Sequence, residues 1–434
     1  MKRLLIVIVI LLVFGGIALA LLSRTDPAPG RAPAIAGAPS SAAAVARGEY
    51  LTKAADCTAC HTVGETGKPF AGGVAFKLPF GTIYSSNITP DPTYGIGAYT
   101  DDEFVRAVRE GIRRDGKHLY PAFPYTSYTQ LSRDDALAIK AYLWTLAPAA
   151  QPNRPNELGF PFNQRWAMTF WNAAFFKSGR FAEDPTKPAQ WNSGAYLATA
   201  LGHCGECHTP RNLGFGLENR RALSGEELQG WRAYNITSDP RHGIGAWTDD
   251  QILAYLSTGH APSHASAGGP MLEAVAHSLQ FLDSADATAL VAYLRTVPAH
   301  EGEHPITVDA QPSPVAASNA TLPGADELSS ESQGLALFAG ACAGCHEWNG
   351  SGRETPYASL QGMRSVNDPS AKNVTEAILE GAKMRVGDND VYMPAFADAY
   401  SNTEVAALAN YVVEHFGGKH GSITADEVAA QRKL

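Results

Sequence analysis

Cys57-Thr-Ala-Cys60-His61 recurs twice in this chain, as Cys204-Gly-Glu-Cys207-His208 and as Cys342-Ala-Gly-Cys345-His346, and the three copies use all six cysteines. Two thiols three residues apart reach the two vinyl groups of a haem and form thioethers, and the adjoining His then falls under the iron as its proximal ligand. Structural zinc would need four converging ligands, whereas each motif supplies three and the motifs lie 147 and 138 residues apart. A disulfide or thioredoxin-like pair would leave the His after every second Cys unexplained, and no βαβ pattern accompanies these pairs. The motifs therefore predict three covalently bound haem c groups. Cys57, Cys60, Cys204, Cys207, Cys342 and Cys345 attach them, and His61, His208 and His346 ligate iron.

Working outward from the motifs, a duplication appears. Asn87-Ile-Thr-Pro-Asp-Pro-Thr-Tyr-Gly-Ile-Gly-Ala-Tyr-Thr-Asp-Asp returns as Asn235-Ile-Thr-Ser-Asp-Pro-Arg-His-Gly-Ile-Gly-Ala-Trp-Thr-Asp-Asp, nearly the same distance apart as the first two Cys motifs. Each copy has a short helix before the motif (44–55 and 193–201). A second helix follows the Asn-Ile-Thr loop and opens on a capping box, Thr100 with Glu103 and Thr248 with Gln251, which satisfies the free amides of the first turn. A closing helix ends each copy (132–146 and 285–297). The third unit repeats the outline at 330–341 and 402–416. No stretch shows the period-two alternation of a buried sheet. The reading is all-α, three small domains in series. The expected divisions are an anchor or signal at 1–24, a linker at 25–42, domain one at 43–150 and a connecting segment at 151–192. Domain two follows at 193–299, a Pro-rich linker at 300–327, domain three at 328–418 and a tail at 419–434.

A high-potential carrier needs a second axial ligand, usually Met. With six Met in the chain the search is short. Domain two offers Met271, in Gly-Gly-Pro-Met. Domain three offers Met393, in Met-Pro before the closing helix, with Met384 and Met363 as rivals. Domain one breaks the pattern. The repeat places Phe123 where Met271 stands, and aligning Tyr-Pro-Ala-Phe on the third unit places Tyr120 where Met393 stands. The nearest strong donor is His118, and Met168 is a remote one. The first haem is expected to be either His118-ligated or five-coordinate, while His118 as an exposed loop residue stays open. A Pro after each motif (Pro69, Pro210, Pro356) is a candidate to present a carbonyl to the proximal His. The Asn-Ile-Thr loops are read either as haem-propionate binders or as turn formers. Tyr142, Tyr293 and Tyr411 are read as packing residues.

The chain has 434 residues and a net charge of −9, which disfavours nucleic acid as a partner because phosphate binding needs clustered Lys and Arg. Lys2 and Arg3 precede an unbroken apolar run, Leu4 to Leu22. It matches the about 20 residues a bilayer-crossing helix needs, and it exceeds the usual signal-peptide core. A cleaved signal is the other reading, with Ala18-Leu19-Ala20 as its cleavage site. Either way the globular part is expected on the periplasmic side of the inner membrane.

With its three motifs, the paired Asn-Ile-Thr loops, Tyr-Pro-Ala-Phe-Pro-Tyr in unit one and Cys-His-Thr-Pro-Arg-Asn in unit two, the chain resembles the triple-haem cytochrome c subunits of bacterial membrane-bound dehydrogenases, such as those of alcohol and gluconate 2-dehydrogenases. The resemblance covers about residues 43–418 and implies three tandem class I cytochrome c domains. It also implies electron transfer from a quinoprotein, flavoprotein or molybdenum dehydrogenase subunit to ubiquinone or a terminal oxidase. Phe123, in place of the usual Met, departs from the alcohol dehydrogenase pattern. On this reading the chain has no substrate chemistry of its own and no catalytic residue. The alternative is a haem enzyme that acts on a small molecule at a first haem lacking Met.

Overall fold

The computed structural model describes residues 41–64, 66–301, 330–353 and 355–433. The expected membrane segment and, apart from their margins, both expected linkers lie outside these residues. The described chain forms two compact units. The first runs through Thr52 and resumes at Cys60–Ala182; the second comprises Lys53–Ala59 with the residues from Glu183 onward.

The same helix crossing recurs beside each Cys motif. In domain one the leading helix Ala42–Ala54 meets the closing helix Arg133–Leu143. Gly48 lies so close to it that a Cβ there would stand 1.8 Å from the Ala138 carbonyl oxygen. Gly194 in Ala189–Tyr196 repeats the approach against Ala289 of Ser284–Leu294, also at 1.8 Å, and Gly334 in Ser330–Leu337 against Ala407 of Asn402–Gly417 at 2.4 Å. Only a residue without a side chain allows two helix backbones so near. In domains two and three a π turn, Leu197–Leu201 and Phe338–Cys342, carries the leading helix into the Cys motif.

The capping boxes form as read: Thr100 and Thr248 accept from the amides of Glu103 and Gln251, whose side chains accept in return. Ser401 with Glu404 and Thr424 with Glu427 add two more. The capped helices Asp101–Glu110 and Asp249–Thr258 end on Gly111 and Gly259, and the third-domain helix Lys372–Glu380 ends on Gly381. All three glycines have positive φ, at 63°, 74° and 67°. An antiparallel pairing follows each. Ile112 bridges His118, His260 pairs with Ser266, and Ala382 pairs with Met393.

Three details go beyond the sequence expectations. The fold is largely helical but not wholly so. Short hairpins occur at Ala75–Leu78 with Gly81–Tyr84, at Glu226–Leu228 with Trp231–Ala233 and at Ala382–Val386 with Asn389–Met393. Their strands are three to five residues long, too short to show alternation above chance. Secondly, the connecting segment is not a mere connector. Glu157–Leu158 adds a strand beside Gly81–Tyr84, and the helix Met168–Phe175 packs on domain one. Thirdly, the C-terminal tail carries the helix Ala425–Gln431, whose Val428 joins Ile423 in the core of domain three.

Domains two and three fuse into one unit through shared chemistry. Val386 and Val391 of domain three lie in one apolar cluster with Leu272, Val275 and Ala276 of domain two. Buried Arg232 donates to Asp368 at 2.7 Å, and Lys372 pairs with Glu227.

Candidate haem sites

The three proximal histidines share one geometry. His61 Nδ1 lies 2.7 Å from the Ser86 carbonyl oxygen, His208 Nδ1 2.7 Å from that of Tyr234, and His346 Nδ1 2.7 Å from that of Ala358. A carbonyl can only accept, so Nδ1 carries the proton and Nε2 keeps a free lone pair. That is the tautomer an iron ligand requires, with its ring orientation fixed. The acceptors correct the sequence expectation. They are not Pro69, Pro210 or Pro356; the Pro210 oxygen accepts from Glu218 and the Pro356 oxygen from Ser359.

Ser86 and Tyr234 immediately precede the Asn-Ile-Thr loops, which gives the repeat its physical meaning. Asn87 Oδ1 accepts from the amide and hydroxyl of Thr89, while its Nδ2 donates to the Ala149 and Gln151 carbonyls. Asn235 does the same with Thr237 and the His300 carbonyl. Both Asn side chains are buried, and all these polar atoms face protein. The loops are turn formers that hold the His acceptor in place. Of the tyrosines read as packing, Tyr411 is buried in the third core and Tyr293 meets Trp191 edge-on at 5.4 Å.

The six cysteines form no disulfide with one another. Burial pushes Cys57 and Cys207 up to about 12 and Cys204 and Cys342 up to about 11. This is opposite to the depressed pKa of a disulfide-exchange thiol. Among the described residues no cluster of three His, Cys, Asp or Glu could hold a metal ion by itself.

In the second unit a cavity of about 850 Å³ joins the two motifs. His208, Met271, His346 and Met393 all line it. Met271 sits in the first turn of Gly269–His277 and Met393 ends its hairpin. Met384 is not among the lining residues; it packs on the apolar cluster shared by the two domains. Met363 does line the cavity, fully buried, with its sulfur 3.6 Å from the Ser266 hydroxyl. The remaining wall is mostly apolar, which suits a porphyrin face. Arg232, Arg353 and Arg364 line it, and Arg364 is the most deeply buried of the three. Its guanidinium lies 4.9 Å over the Tyr234 ring and donates to the Asn235 and His242 carbonyls. Burial pulls its pKa down to about 10. Its carbonyl acceptors are neutral, while Asp368 and Asp239 act on it through charge; such a cation also suits an anionic edge such as haem carboxylates. Sequence reading missed Arg364 because it belongs to domain three while its partners belong to domain two.

In the first unit His118 is half-buried. Its Nδ1 lies 3.1 Å from Asn172 Nδ2, Asn172 Oδ1 accepts from Tyr125 Oη at 2.6 Å, and Arg165 donates to the His118 carbonyl at 2.6 Å. Backbone pairing offers a further register beside the two read from sequence. In each domain the residue after the helix-ending glycine pairs with one partner, and those partners are His118, Ser266 and Met393. By this pairing His118 stands where Met393 stands, while in domain two the same position is Ser266 and Met271 lies five residues further on. Pro121 lies three positions after His118 and Pro394 one position after Met393, so the Tyr-Pro-Ala-Phe alignment differs from the pairing by two residues. Phe123 packs 5.4 Å from Tyr128, and Met168 opens the helix Met168–Phe175.

A family model for cytochrome c matches residues 45–147 and 332–415. The chain is 40% identical over 402 residues to the fructose dehydrogenase cytochrome subunit of Gluconobacter japonicus, covering 89% of this chain and 82% of that one. It is 37% identical over 411 residues to the gluconate 2-dehydrogenase cytochrome c subunit of Pantoea cypripedii, covering 90% of each. It is also 33% identical over 407 residues to the cytochrome c subunit of the quinone-dependent alcohol dehydrogenase of Gluconobacter oxydans, covering 90% of this chain and 82% of that one.

Proposed function

The chain belongs to the cytochrome c subunits of fructose, gluconate and alcohol dehydrogenases, and from that membership we propose that it carries three haem c groups relaying electrons from a dehydrogenase catalytic subunit to ubiquinone or a terminal oxidase. The observation that carries this reading is the threefold 2.7 Å bond from a proximal imidazole to a backbone carbonyl. One copy would be a packing detail. Three copies, each behind a Cys-x-x-Cys pair and each under a glycine-mediated helix crossing, make three equivalent haem seats.

Bound haem c supplies one-electron chemistry, and the protein tunes it through axial ligands, burial and charge. On this reading Met271 and Met393 complete the second and third sites. His118 completes the first, from the hairpin position that Met393 holds in domain three. Ligation through Nε2 requires Nδ1–H. The Asn172 amide accepts it when its oxygen faces His118 and its nitrogen faces Tyr125 Oη; the two orientations of an amide are set by such a network. The apolar run at Leu4–Leu22 would hold the subunit on the periplasmic face of the inner membrane.

The pyridine haemochrome of the purified chain is expected to give three haems per polypeptide. Low-temperature EPR should show one bis-His signal beside two His/Met signals, and in His118→Ala the bis-His signal should vanish while carbon monoxide binds one haem. An unchanged spectrum removes His118 as a ligand, and fewer than three haems removes the relay as drawn.

A further inference from the structure

We infer that residues 160–177 of the first unit form a docking surface for an anionic phospholipid bilayer. Large aromatic side chains exposed to solvent concentrate there: Phe160 (82% exposed), Phe162, Trp166 (55%), Phe170 and Phe175. The helix Met168–Phe175 spends one face on its own domain. Trp171 and Phe176 meet the buried Tyr125 ring edge-on at 6.5 and 5.3 Å, and Asn172 bonds to Tyr125 Oη. The opposite face carries Phe170, Ala173 and Ala174, continued by Trp166 one turn earlier, and Phe170, Ala173, Ala174 and Trp166 are all exposed. A helix apolar on both faces is stable only where both are covered.

Charge selects the occupant. From Leu158 to Ala182 the chain has no Asp or Glu but has Arg165, Lys177 and Arg180, within a protein of net charge −9. Arg165 and Arg180 also donate to carbonyls of their own unit, and Arg180 lies 4.0 Å from Glu110. Lys177 is exposed at the end of the apolar face. Exposed Trp and Phe flanked by basic residues match the headgroup boundary of an anionic membrane.

The test reconstitutes the full holo-chain in phosphatidylglycerol vesicles doped with a photoactivatable phospholipid, and maps cross-linked peptides. Cross-links are expected in residues 160–177, weaker in phosphatidylcholine vesicles. In a Phe170→Ser/Lys177→Glu variant they should fall roughly tenfold, as expected for one interfacial Phe and one charge, with haem content unchanged. Cross-links at 4–22 report separately on the anchor. If residues 4–22 are labelled and 160–177 are not, the surface is overturned. Labelling at 160–177 alone keeps the surface and discards the anchor. Loss of that labelling when the catalytic subunit is bound assigns the patch to a protein partner and overturns the proposal.

Discussion

At the scale of single residues, most of the chemistry follows from local sequence. The Cys and proximal His residues need only their own motif, because thioether geometry acts over five residues. The His acceptors were not legible, since Ser86, Tyr234 and Ala358 share no side chain and act only through backbone position. His118 lies between these cases. Its identity as a strong donor was visible, but its register was not, because the Tyr-Pro-Ala-Phe resemblance pulls the alignment two residues away. The pairing of Ile112 with His118 and of Ala382 with Met393 makes a direct prediction. In His118→Met the first haem should acquire the charge-transfer band of a His/Met site, and its potential should rise by on the order of 100 mV, as Met raises potential relative to His. Spectropotentiometry of the variant checks it, and an unmoved potential would separate the hairpin register from ligation.

At the scale of elements, helices with caps were readable to within a few residues, because Thr100, Thr248 and their partners at N3 are local signals. The hairpins and the helix in the connecting segment were not. Strands this short carry no periodicity, and the eight-residue 168–175 helix starts without a side-chain cap to announce it. The glycines of the leading helices were equally silent, since a helix-interior Gly reads as a weakness until its neighbour is seen. Gly194 sits where a methyl group would meet the Ala289 carbonyl oxygen at 1.8 Å. Helix propensity alone would favour Ala there by about 1 kcal/mol. Overpacking is expected to win, so Gly194→Ala should lower stability by about 1–3 kcal/mol. A drop in the urea midpoint of the variant, read by far-UV circular dichroism, is the expected result, whereas a rise would mean that the crossing relaxes.

At the scale of the whole molecule, the repeat was legible in the sequence, but the joining of the stretches around the second and third Cys motifs into one compact unit was not. That union rests on residues far apart in the chain, Arg232 with Asp368 and Leu272 with Val391, which no local pattern links. Glu376 marks its weak point. It lies 3% exposed under the domain-two hairpin turn, where a Cβ at Gly230 would come within 2.1 Å of its Oε1. That oxygen has no hydrogen-bond partner. Neighbouring Glu380 accepts from Trp231 Nε1. Burial first, and the charge of Glu380 second, push the Glu376 carboxyl up from 4.5 to about 7, against a smaller opposing bond from Gln431. A carboxyl raised on folding favours the protonated native state. Its contribution is therefore complete below about pH 4.5 and is lost as pH rises through about 7. Glu376→Gln keeps the shape and removes the charge. At pH 8 the variant should be more stable than the parent by on the order of 1–2 kcal/mol, after discounting the shift for solvent screening. At pH 4 the two should agree. Urea midpoints at both values decide it: a gain of equal size at both would assign the effect to packing, and no gain at pH 8 would show that the interface already accommodates the carboxylate.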